Sequence, residues 1–154
     1  MDDINQEAGF LDSAGFTGGV FNRYVALDVE QLREKMQFSD EEPQEVIRAF
    51  TIALYWAVPG GKQHSMTSFM QWDYARVLVR SGQCMQANFE RPVRATPAGL
   101  LEPSIERLNE LLTRSELLAG AFYGKVADLT FGAEKLQLIA DFAQELSQKA
   151  VLKA

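Results

Sequence analysis

The chain has 154 residues, with 15 Lys and Arg against 21 Asp and Glu, so its formal net charge is −6. That length supports one domain with one core, and 47% hydrophobic with 23% charged residues is a globular composition. The acidity argues against a nucleic-acid binder that relies on overall charge, because neutralising phosphates requires Lys and Arg.

Residues 1–18 carry Asp, Asn, Gln, Gly and Ser around isolated Phe10, Leu11 and Phe16, and read as a loop or the end of an excursion. After Gly18-Gly19, the run Val20 to Leu27 is rich in β-formers and reads as a strand. Asp28 stands at an N-cap position with Gln31 three residues on, which predicts a short helix from Val29 to Met36. Ser39-Asp40-Glu41-Glu42 has capping-box spacing and predicts a helix to about Val58. Val46, Phe50, Leu54 and Ala57 are spaced to share its inner face. Pro43 fits only its first turn, and Pro59-Gly60-Gly61 ends it.

Lys62 to Asp73 reads as a loop. Ala75 to Arg80 reads as a strand, with Val77 and Val79 on one face and Arg76, Leu78 and Arg80 on the other. Gln83 to Leu101 is irregular, with room for one short strand. Pro103 opens a helix whose stripe is Ile105, Leu108, Leu111, Leu112 and Leu118, stopped by Gly120. Val126 to Phe131 reads as a strand or an extended link. Gly132 opens a last helix with Leu136, Ile139, Ala143 and Leu146 inward. The sum is an α+β chain with a sheet of two or three strands, thin enough to suggest that something is missing from it.

Chemistry-bearing motifs are sparse. The lone Cys84 excludes an internal disulfide framework and a thiolate metal cage, and suits a reducing cytoplasm. The start, Met1-Asp2-Asp3-Ile4-Asn5, is acidic where a secretion signal is basic. The run Ala49 to Val58 is too short to span a bilayer. Gly60-Gly61-Lys62 fails the Walker pattern: Trp56 stands where its first Gly belongs and Gln63 where Ser or Thr would hold magnesium. Two readings remain for it. One is a helix C-cap and polar turn. The other is a close backbone approach to phosphate, with Lys62, Gln63, His64 and Ser65 as donors. His64 with Ser65 and Asp73 could be cast as a hydrolase triad, but no strand-elbow signature surrounds any Ser. No catalytic residue, metal or cofactor is expected.

Charge is uneven along the chain. Residues 1–45 hold eleven acids and three bases, a net −8, whereas residues 62–94 hold five bases and two acids, a net +3. Phe69, Trp72, Tyr74 and Phe89 interleave with those bases. Aromatics beside Arg can stack on nucleobases while the charges hold phosphates. The other reading is a half-buried sheet edge whose Arg residues pair with the chain's own acids.

Gly19-Val20-Phe21-Asn22-Arg23-Tyr24, the acid-capped helix, Val58-Pro59-Gly60-Gly61-Lys62-Gln63 and Leu101-Glu102-Pro103-Ser104-Ile105 follow one another in this order. Together they resemble the carboxy-terminal half of the CasC family, the backbone subunit of the type I-E CRISPR complex Cascade, from Asp2 to about Leu118. The resemblance implies a partial RRM-like (ferredoxin-like) palm with flanking helices over residues 19–154 and the end of a thumb over residues 1–18. It implies a non-catalytic subunit in antiviral defence, stacked in several copies with other Cascade subunits along a guide crRNA that pairs with a target DNA strand. Gly60, Gly61, Lys62 and Gln63 match the family's Pro-Gly-x-Lys-Gln turn, expected near the RNA backbone with His64. Phe21, Arg23 and Tyr24 match its aromatic-rich palm strand, and Arg76 and Arg80 join the expected RNA-facing set. Met1 falls deep within the family's chain, so the resemblance implies that the family's amino-terminal half is absent here, as expected of a truncated gene product, an excised piece or one part of a split subunit, and that sheet edges are left open. The competing expectation is an acidic helical protein-interaction module without RNA.

Overall fold

A computed structural model describes residues 19–37, 42–57, 71–87, 89, 91–132 and 136–151. The fold is mixed α+β, with four α-helices and a two-stranded antiparallel sheet among the described residues. In order these are α1 (Val29–Met36), α2 (Glu42–Trp56), β1 (Tyr74–Arg80), α3 (Leu101–Ala119), a 3-10 turn (Gly120–Tyr123), β2 (Lys125–Gly132) and α4 (Ile139–Val151).

α1 starts as its sequence predicts: the Asp28 carboxylate accepts a hydrogen bond from the Gln31 amide at 2.9 Å. This satisfies one of the donors that a helix start leaves open. The segment Val20 to Leu27 before it is not a strand among the described residues. Its apolar side chains are exposed, Phe21 at 72%, and no neighbouring strand pairs with it. β-forming side chains specify a strand only when a ladder and a covered face are available.

β1 and β2 pair from Tyr74↔Gly132 to Arg80↔Lys125, with a bulge after Val79↔Ala127. Alternation then sorts the side chains. Ala75, Val77 and Val79 of β1, with Ala127, Leu129 and Phe131 of β2, share the apolar face. That face meets Tyr55 of α2 and Phe142 and Leu146 of α4, which form the core with it. β2 is therefore a true strand, and its alternation supplies two of the five buried core residues, Leu129 and Phe131.

Three inner faces differ from the sequence reading. In α2 the buried positions are Pro43, Ile47, Thr51 and Tyr55, while Phe50 and Ala57 are exposed. The observed stripe steps by four residues along the side that meets α4. A threonine fits there because its hydroxyl donates to the Ile47 carbonyl at 2.8 Å. In α3 only Leu112 is fully buried, and Leu118 is 78% exposed. In the last helix Ala143 and Leu146 are buried and Ile139 packs against the core as their spacing suggests, but Leu136 lies before the first turn and is 95% exposed, and Phe142 and Ser147 join the buried face. Gly132 ends β2 instead of opening that helix. The irregular stretch 83–101 holds no strand among its described residues, only a Thr96↔Gly99 bridge around Pro97.

Candidate nucleic-acid interface

The other face of the ribbon carries Tyr74, Arg76, Leu78 and Arg80 from β1 and Asp128 and Thr130 from β2. Register places Arg76 diagonal to Asp128 on this face. Its guanidinium forks onto the carboxylate, Nε to Oδ1 at 2.9 Å and Nη2 to Oδ2 at 2.7 Å. The hydrogen bonds that Arg76 donates to Asp128, and the charge of that carboxylate, raise the Arg76 pKa above its ordinary value, against the opposing effect of burial. Arg76 Nη1 also donates to Asn109 Oδ1 of α3, which accepts from the Tyr74 hydroxyl at 3.3 Å as well. Lys125 of β2 and Glu116 of α3 form a second tie between the ribbon and α3. α3 is thus held over the polar face largely by side-chain bridges.

Arg80, four residues beyond Arg76 on the same strand, is held differently. Its Nε donates to the Tyr123 carbonyl at 2.8 Å and its Nη1 to the Gln83 carbonyl at 3.2 Å. The guanidinium carbon sits 4.4 Å from the Tyr123 ring centre, a cation–π arrangement. Arg23 reaches back to the end of α2, where its Nη1 donates to the Ala57 carbonyl at 2.7 Å and more weakly to that of Leu54. It therefore serves as a C-terminal cap for a helix that has no basic residue in its last turn. Tyr24 beside it is exposed.

The structure brings Arg76 and Arg80 onto one face and places the Arg23 guanidinium at the end of α2, with Tyr24 next to Arg23 in the chain and exposed. Gly60, Gly61, Lys62, Gln63 and His64 lie outside the described residues, as does Phe69. Trp72 is not a stacking platform: it packs edge-on against Tyr55 at 5.4 Å and Phe131 at 6.2 Å. The reading in which a sheet arginine pairs with the chain's own acid holds for Arg76 and does not hold for Arg80. Sequence reasoning missed Asn109, Tyr123 and Asp128. Asn109 had a signal, a polar residue inside the stripe of Ile105, Leu108 and Leu112. The role of Tyr123 depends on the 3-10 turn and had none.

Among the described residues no cluster of three or more His, Cys, Asp or Glu could hold a metal ion, and no helix is long and apolar enough to cross a membrane. Cys84 is exposed and unbonded.

An antiparallel ribbon sealed by helices on one face and carrying arginines on the other defines an α+β protein with a basic, polar sheet face. The family model of CT1975-like proteins, a CRISPR-associated (Cas) family, matches residues 1–153, and the chain belongs to that family. No curated protein matches the chain.

Proposed function

We propose that the chain is a guide-crRNA-binding backbone subunit of a type I-E Cascade complex, contributing the carboxy-terminal part of an RRM-like palm and acting without catalysis. The observation that carries this reading is membership of a CRISPR-associated family across residues 1–153. The ordered CasC-like motifs narrow it to the backbone subunit. The layering is in keeping with it, since RRM domains offer a sheet face to RNA and this ribbon carries Arg76 and Arg80 on the face away from α2 and α4. In this reading the RNA contacts come from Gly60, Gly61, Lys62, Gln63, His64, Arg23, Tyr24 and Arg80, while Arg76 stands on the same face with its guanidinium engaged by Asp128. The partners are the guide crRNA, the target DNA strand paired to it, further copies of the chain and other Cascade subunits. The site of action is the cytoplasm, and no cofactor is required. Sequence specificity resides in the guide and not in the protein.

Filter binding of a guide-length RNA across a salt series tests the reading. The expected result is affinity that falls steadily as salt rises, because phosphate contacts release counterions. Lys62→Ala should weaken binding with little loss of fold. Salt-independent binding, or an unchanged affinity for Lys62→Ala, overturns the assigned contacts.

A second reading, a protein-interaction module without RNA, is favoured by the uncovered apolar segment Val20 to Leu27 and by exposed Phe122 at 95%. The ratio of absorbance at 260 and 280 nm separates the two in purified material. Nucleic-acid-free protein with a bound protein partner supports the module.

A further inference from the structure

We infer that Arg80 is the anion-contacting cation of the polar sheet face, engaging phosphate groups of a single-stranded RNA, and that Arg76 is a strut that holds the face together. This assignment deepens the proposed RNA-binding reading and rests on it for the identity of the ligand.

The argument is one of charge and geometry. Among the described residues, the ion pairs and hydrogen bonds of this sheet face engage three cations, Arg76, Arg80 and Lys125, and two acids, Asp128 and Glu116 of α3. Asp128 takes Arg76 through two parallel hydrogen bonds. Glu116 takes Lys125, which stands opposite Arg80 in the register. Arg80 is left with neutral partners only, two backbone carbonyls and the Tyr123 ring. Like charge on Lys125 is already balanced, so the unbalanced positive charge of the face sits on Arg80. A guanidinium carries five N–H donors, and the two carbonyls use two of them. The remaining three form a donor edge whose plane is fixed by the Tyr123 ring beneath it. Phosphate oxygens match such a fork in shape and charge. Arg76 differs because an incoming phosphate would have to displace a carboxylate already seated on its fork.

Two measurements on the full chain test this. In the salt series with guide-length RNA, Arg80→Gln should lower affinity several-fold and flatten the slope of log affinity against log salt by about 0.7, one single-strand phosphate contact. Arg76→Gln should leave the slope unchanged and lower the unfolding midpoint instead. In parallel, tripolyphosphate is titrated into wild-type protein while the arginine Nε–H signals are followed by NMR. The Arg80 signal should shift first, ahead of Arg76. If wild type binds RNA with salt dependence but Arg80→Gln changes neither affinity nor slope, the assignment is overturned while the RNA reading stands. If wild type binds no RNA yet tripolyphosphate moves Arg80 selectively, the RNA reading falls and the anion contact stands. Selective movement of Arg76, or equal movement of both, overturns the assignment whether or not Arg80→Gln folds.

Discussion

The ring of Phe142 lies 5.3 Å from that of Phe131, with their planes inclined at 53°. This contact joins α4 to β2, and Phe131 in turn meets Tyr55 of α2 at 5.9 Å. α2, far away in sequence, therefore shares one aromatic junction with the neighbouring elements β2 and α4. A ribbon of two strands does not stand alone in water, so the junction is where the sheet obtains its stability. Phe142 has no exposed surface. Phe142→Ala removes a ring from a close-packed site and should cost about 3–5 kcal/mol. Urea unfolding followed by circular dichroism measures this. A loss below about 1 kcal/mol would mean that α4 is not seated on the sheet.

The inner face of α2 can be tested by two truncations three residues apart. Ile47 is buried on the side that meets α4, whereas Phe50 is exposed. Ile47→Ala should cost about 2–4 kcal/mol. Phe50→Ala should cost less than Ile47→Ala, despite removing the larger side chain, because 38% of Phe50 is already exposed against 3% of Ile47. The reverse order of the two midpoints would restore the Val46, Phe50, Leu54 face that the spacing of apolar residues suggests.

The misreading of that face shows where sequence reasoning stops. Period and capping located α1, α2, β1 and most of α3, because Asp28, Pro43 and the alternation around Val77 act within a few residues of themselves. Choosing which stripe of α2 faces inward requires knowing what lies opposite. The partners of Tyr55 are Trp72, Phe131 and Trp56, two of them from distant elements. The candidate site divides in the same way. Arg76 and Arg80 are visible as bases at alternating strand positions. Which of them is neutralised is decided by Asp128, 52 positions from Arg76, and by the register of β2. Val20 to Leu27 is the opposite case: local propensity favours a strand, and no ladder among the described residues accepts it.

Gly124 is required by the turn that feeds β2. Its φ is +64°, and a Cβ there would stand 2.1 Å from the Ser81 carbonyl oxygen. That oxygen belongs to the residue whose amide donates to the Gly124 carbonyl at 2.8 Å, the bond that closes the end of the ribbon. Gly124→Ala therefore meets both a left-handed backbone and a backbone clash. The expected loss is about 1–3 kcal/mol, with the amide of Ser81 exchanging faster with deuterium. Protection at Ser81 equal to wild type would show that the turn can shift without opening the ladder.

Tyr123 makes the stability of the chain sensitive to alkaline pH. Burial raises its pKa above the ordinary value of 10.0, and neighbouring Arg80 opposes that rise. The folded protein thus holds the phenolic proton more tightly than the unfolded chain does. The unfolded chain ionises first as pH rises, so this contribution is complete below pH about 10 and is lost as pH climbs through the folded value. Tyr123→Phe removes the titrating group while keeping the ring under Arg80. The difference in unfolding free energy between wild type and Tyr123→Phe should stay level from about pH 7 to 9 and move against wild type above about pH 10. Denaturant midpoints measured at matched ionic strength across that range provide the check. A difference that stays level through pH 11 would show that the phenol ionises as readily in the fold as in the open chain.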